Sequence, residues 1–191
     1  MPNMNYSEFV ELYEEISKTT KRLEKTEIIA KFLKKLVTQD NSKYIYLLKG
    51  KVVPDYDSKE IGISRQITIK AIGKSFGIKE EEIEKRFRKV GDIGDIAEEL
   101  TKIKKQRTLF SKKLTVEKVF SNLIKIMEIE GKGTVDKKIG LISELLGSAS
   151  EKEAKYIVRT LLADLRIGIA DGVIRDSLAE AFFPEEKKEM S

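Results

Sequence analysis

A pattern of apolar residues and glycine is written into this chain twice. Lys43-Tyr44-Ile45-Tyr46-Leu47-Leu48 resembles Lys155-Tyr156-Ile157-Val158-Arg159-Thr160, and Ile61-Gly62-Ile63-Ser64 resembles Ile167-Gly168-Ile169-Ala170. Upstream, Phe9, Tyr13 and Ile16 match Val119, Leu123 and Ile126, and Ile28-Ile29 with Phe32-Leu33 matches Leu141-Ile142 with Leu145-Leu146. Such self-similarity predicts two diverged halves in tandem, each ending in a glycine corner and a helix. Packed about a pseudo-two-fold axis, both corners would face one ligand, and the backbones of a duplex are related by such an axis. A duplication retained for packing alone leaves the same trace.

Spacing inside the repeat sets the fold class. Apolar residues recur at three and four, as in Tyr156, Ile157, Leu161 and Leu165 or Val173, Ile174, Leu178, Ala181 and Phe182, and only three prolines interrupt the chain. It reads as all-α, with helices over 5–17, 22–37, 42–50, 64–76, 79–90, 92–101, 115–130, 136–147, 151–164 and 170–183. Residues 43–48 carry the Tyr and Ile content of a strand. Their repeat partner follows Ser150 and Glu153, the two side chains of a capping box, which argues for helix.

No histidine and no cysteine occurs among the 191 residues. Disulfides, thiolate catalysis, zinc-thiolate sites, hydrolytic triads and imidazole metal sites are thereby excluded. Lys and Arg total 37 against 32 Asp and Glu, giving a net charge of +5, so the distribution of charge matters more than its sum. No apolar run approaches the roughly 20 residues of a membrane span. Met1-Pro2-Asn3-Met4 lacks the basic-then-apolar start of an export signal, and a cytoplasmic location is expected.

The candidate binding residues are glycines and cations. Gly62 and Gly168 read as helix openings, where free N–H groups face an anion and the missing side chain admits another backbone. Arg166 adds a charge beside the second. Asp92 with Asp95 reads as an N-cap and first turn, with Gly91 and Gly94 as points of close packing between the halves. From Lys102 to Leu114 the chain is at its most basic, with Lys102, Lys104, Lys105, Arg107, Lys112 and Lys113 and no acid among them. Leu109-Phe110 in its middle calls for a pocket, in this chain or in a partner. The turn Gly131-Lys132-Gly133 lacks the GxxxxGK(S/T) spacing and preceding strand of a P-loop. With Lys137 and Lys138 after it, the turn still suits a phosphate backbone.

Taken in chain order, E-I-G-I-S at 60–64, G-D-I-G-D-I-A-E at 91–98, Q-R-T-L-F at 106–110, L-T-V-E-K-V-F at 114–120, G-K-G-T-V-D-K-K-I at 131–139 and E-A-K-Y-I-V-R-T-L-L-A-D-L-R-I-G-I-A-D-G-V-I-R-D at 153–176 carry a specific resemblance. The chain is similar to the N-terminal DNA-binding domain of ATP-dependent DNA ligases of archaeal and eukaryotic type, from about Tyr6 to Phe183. The resemblance implies an all-helical domain of two pseudo-symmetric halves lying on the minor groove of nicked duplex DNA and touching the backbone on both sides of the break. Arg166, Gly168 and Ala170 match the family's second groove-facing corner, and Gly62 with Ser64 matches the first. Asp164 departs from the pattern, since some relatives carry a basic residue there. Gln106 to Phe110 resembles the sliding-clamp motif of archaeal ligases, with Gln106 as a hydrogen-bonding anchor and Leu109 and Phe110 as plugs.

Ligase chemistry in this family starts at the lysine of a KxDG motif and uses ATP and Mg. Here Asp171-Gly172 is present but Ile169 stands in the lysine's place. The expectation is therefore a single non-catalytic domain over 1–184, with half one at about 5–98, the connector at 101–114 and half two at about 115–184. Residues 185–191 would begin a linker to catalytic domains of the same protein, which would seal nicks in replication and repair. The alternative is a helical protein-interaction scaffold of the solenoid type. A free-standing phosphotransferase or nuclease would need paired acids at metal-ligand spacing, which the sequence does not display.

Overall fold

The computed structural model describes residues 4–36, 42–105 and 113–183, which form α1 (Tyr6–Ser17), α2 (Arg22–Lys35), α3 (Ser42–Leu48), α4 (Arg65–Phe76), α5 (Glu80–Val90), α6 (Ile93–Lys105), α7 (Val116–Glu128), α8 (Thr134–Ser148), α9 (Glu151–Leu161) and α10 (Asp171–Phe182). Among these residues there is no strand beyond one isolated bridge, so the fold is all-α and residues 43–48 are helical.

The centre of the core is α1. Its Tyr6, Phe9, Tyr13 and Ile16 are fully buried, because they recur on one face at helical spacing. Tyr13 lies with its ring 4.8 Å from Tyr156 of α9, and Phe9 lies 5.9 Å from Tyr44 of α3. The two Lys-Tyr-Ile helices thus converge on α1. A buried hydroxyl is costly unless paired: Tyr13 donates to Leu47 O at 2.7 Å and Tyr156 to Glu14 Oε1 at 2.7 Å.

Elements of the two repeats exchange partners. Tyr6 N donates to Leu114 O at 2.8 Å and Val116 N to Met4 O at 2.9 Å, a reciprocal pair joining the starts of α1 and α7. Helix α4 packs on α8, and α10 packs on α2. A solenoid stacks each repeat only on its neighbour, so the solenoid alternative does not describe this packing. Helices α5 and α6 have no counterpart in the second half, and α6 makes its main contact with α9.

Two boundaries differ from the sequence reading in ways that shape the site. Helix α9 ends at Leu161, short of the expected 164, because Ala163 turns left-handed at φ 52° and Asp164 N donates back to Arg159 O at 3.0 Å. No glycine announces that turn. Helix α6 runs past the expected 101 to Lys105, so the basic connector begins as helix. There Lys104 donates to Ser75 O at 3.0 Å and its charge stands over the Phe76 ring.

Candidate nucleic-acid interface

Both Ile-Gly-Ile corners adopt one backbone geometry. Gly62 has φ 60° and Gly168 φ 61°, the left-handed region that glycine enters without a Cβ clash. Ile61, Ile63 and Ile167 are buried while both glycines are exposed, so the isoleucines anchor each loop and its glycine faces outward. Neither glycine N–H has a hydrogen-bond partner among the described residues.

The glycines do not open the helices, contrary to the sequence reading. The N-caps are Ser64 and Ala170, two residues further on, with Ser64 Oγ accepting from Ile67 N and Ala170 making no side-chain capping bond. The two helix starts are also unlike each other. Helix α4 opens with Arg65 and no acid in its first turn, which favours an anion at its positive dipole end. Helix α10 opens with Asp171, paired to Lys49 at 2.9 Å, and that carboxylate opposes an anion there.

Beneath the second corner lies a buried cation. Lys25, 5% exposed, donates from Nζ to Ile167 O at 2.6 Å and to Gly168 O at 2.8 Å. With the corner's carbonyls turned inward, its amide hydrogens are left to the outside. No carboxylate pairs with Lys25 among the described residues, so the charge acts through the loop.

A cleft of about 170 Å³ takes Arg65 from the first corner's helix and Arg166 from the second corner, while neither Gly62 nor Gly168 lines it. Arg166 is held at φ 55°, strained for a residue with a side chain. Its Nε meets Asp164 Oδ2 at 2.8 Å, its Nη1 meets Asp92 Oδ2 at 3.2 Å, and its Nη2 donates to Gly91 O at 3.2 Å. Asp92 is the anchor. It caps α6 through Gly94 N at 2.7 Å and Asp95 N at 3.3 Å, as expected, and it takes Arg159 Nη2 at 2.7 Å. Burial pushes the Asp92 carboxyl up, but the Arg159 hydrogen bond and the charges of Arg159 and Arg166 together hold it below the usual value. The Asp164 hydrogen bond raises the Arg166 pKa further.

Comparison with known proteins decides how these features are read. A family model described as DNA ligase N terminus matches residues 5–179. A DNA ligase of Thermococcus onnurineus is 40% identical over 182 residues, covering 95% of this chain and 32% of that protein. One of Methanosphaera stadtmanae is 45% identical over 186 residues, 95% of this chain and 33% of the relative, and one of Nanoarchaeum equitans is 40% identical over 179 residues, 94% and 31%. The chain belongs to the DNA ligase N-terminal family. It spans about a third of the length of the curated relatives it matches.

Of the binding residues expected in this ligase N-terminal chain, Arg166, Gly168 and Ala170 lie together and exposed, and Gly62 and Ser64 lie exposed at the first corner. Lys137 and Lys138 sit early in α8, after the left-handed Gly133, and line neither that cleft nor a groove of about 420 Å³ beside Gly62. Gln106, Leu109 and Phe110 lie outside the described residues. Gly94 does mark close packing: an added Cβ would stand 2.8 Å from Arg159 Cγ and 3.0 Å from Lys155 O. Gly91 does not. It ends α5 at φ 73° with nothing within 4 Å of a Cβ. The sequence reading missed Lys25, Arg65 and the Arg159–Asp92–Arg166 chain. The repeat held a signal for the first, since Lys25 precedes Ile28 as Lys138 precedes Leu141.

Proposed function

We propose that this chain holds nicked duplex DNA by its sugar–phosphate backbones across the minor groove, without reading bases, for ligase domains elsewhere in the same protein. The observation that carries the reading is a pair of left-handed, exposed glycine corners whose neighbouring arginines, Arg65 and Arg166, line one cleft. Exchange of α4 and α10 between the halves, and the reciprocal bridge at Asn5 and Thr115, support a pseudo-two-fold arrangement matched to two strands. Unpaired amide hydrogens and arginines suit phosphate oxygens, which carry no base code. Sealing a break at any sequence requires that indifference.

In this reading the sealing chemistry lies outside these residues, since Asp171-Gly172 opens α10 with Ile169 in the KxDG lysine position. ATP and Mg belong in this proposal to the rest of the protein, where the sealing chemistry would take place. Duplex binding measured across a salt series tests the reading. The logarithm of affinity should fall linearly with that of salt, losing about 0.9 of slope per phosphate contact removed. Arg166→Ala should weaken unrelated duplexes alike and flatten the slope, and an unchanged affinity would reject that role. The sliding clamp is proposed as a second partner through Gln106, Leu109 and Phe110. Leu109→Ala with Phe110→Ala should abolish clamp capture and leave duplex binding intact.

A further inference from the structure

Asp164 is bonded to Arg166, the arginine offered to DNA. We infer that Arg65 and Arg166, one from each half, form a single phosphodiester site in the cleft they both line, and that Asp164 occupies it as an internal competitor until a phosphate displaces it. The inference rests on the duplex reading above for the source of the phosphate.

The cleft is lined by Arg65, Arg159 and Arg166 against Asp92 and Asp164, leaving one positive charge unanswered. That charge is Arg65. It makes no ion pair among the described residues, and its guanidinium rests on the Phe87 ring 5.0 Å from the centroid, which orients the fork without neutralising it. The volume of about 170 Å³ is several times the ~30 Å³ share of a water molecule, room enough for a tetrahedral anion.

The two carboxylates on Arg166 are not equivalent. Asp92 is 6% exposed and stays satisfied by Arg159 and two backbone amides whether or not Arg166 remains. Asp164 is 53% exposed, and its only ion pair among the described residues is with Arg166 Nε. Release therefore leaves Asp164 in water, where a carboxylate is well solvated. An arginine fork accepts phosphate oxygens in the geometry in which it accepts a carboxylate, so a phosphate takes the Asp164 place with Arg65 closing from the other side. Arg166 is kept on Asp92 throughout, which fixes where the phosphate sits.

Two titrations of the 191-residue chain test this. In the first, inorganic phosphate is added while the Nε–H resonances of Arg65 and Arg166 are followed by NMR. Both should move with one dissociation constant, and that constant should be about two- to fivefold lower in Asp164→Asn, the worth of one exposed ion pair. In the second, nicked duplex is titrated into wild type, Asp164→Asn, Arg166→Ala and the double variant. Asp164→Asn should bind more tightly in the wild-type background and gain nothing in the Arg166→Ala background. Arg65→Gln should weaken binding and lower the salt slope by about one contact. An equal gain in both backgrounds would reduce Asp164 to general repulsion, and weaker binding by Asp164→Asn would make it a support for Arg166. Either result overturns the inference, as does movement of only one arginine with phosphate. Failure of wild type to bind any duplex would sink the duplex reading, while the phosphate titration still decides the site. Asp164→Ala serves as a second variant, with a melting curve confirming the fold.

Discussion

Lys25 and Gly168 constrain each other. A Cβ added at Gly168 would stand 2.8 Å from Lys25 Nζ, whereas one at Gly62 would meet only Glu60 O at 3.5 Å. Both positions have positive φ and cost about 1 kcal/mol with a side chain. At Gly168 the ammonium must also retreat from the two carbonyls that solvate it, and an unsolvated buried charge is expensive. Gly168→Ala should therefore destabilise more than Gly62→Ala in urea unfolding, by about 1 kcal/mol or more beyond the shared strain. Equal losses would mean that Lys25 moves freely and that the corner does not depend on it.

At the scale of elements, the seam between α6 and α9 holds the insertion against the second half. Gly94→Ala would force Arg159 and the Lys155 backbone away and should cost about 1–3 kcal/mol by overpacking. Arg159→Ala should cost about 3 kcal/mol, because Asp92 would keep a buried charge with only Arg166 and amides to answer it. Denaturant midpoints of the two variants check both values. This seam shows where legibility in the sequence ended. The ten helices of the described residues, the capping box at Ser150 and the cap at Asp92 were readable because each is written in residues a few positions apart. The pairing of Asp92 with Arg159 spans 67 positions, and α6 lies outside the repeat, so no periodicity pointed to it. The end of α9 was misread for a local reason: Ala163 and Arg166 take a conformation that glycine normally signals. The glycine corners themselves were legible, but their distance from the helix starts was not, since Ser64 and Ala170 cap from positions that residue type alone leaves open.

Across the whole molecule, one stripe of charge joins the halves. Helix α9 presents Lys152, Lys155 and Arg159 on one face. Lys152 meets Glu14 of α1 at 2.9 Å and Glu98 of α6 at 3.0 Å, Lys155 meets Asp95 at 2.8 Å and Glu98 at 3.0 Å, and Arg159 meets Asp92 at 2.7 Å. Burial raises the Glu14, Glu98 and Asp92 carboxyls, but their hydrogen bonds and the facing cations outweigh it, and all three titrate below the usual values. A carboxylate with a lowered folded-state pKa contributes stability above its unfolded value, and the contribution is lost as pH falls through the lowered value. The stripe therefore weakens below about pH 4, where these groups begin to take protons in the unfolded chain. Urea midpoints measured at about pH 7 and about pH 3.5 should differ more in wild type than in Glu98→Gln, which has already lost one titrating partner. A midpoint difference as large in Glu98→Gln as in wild type would place the acid sensitivity outside the stripe.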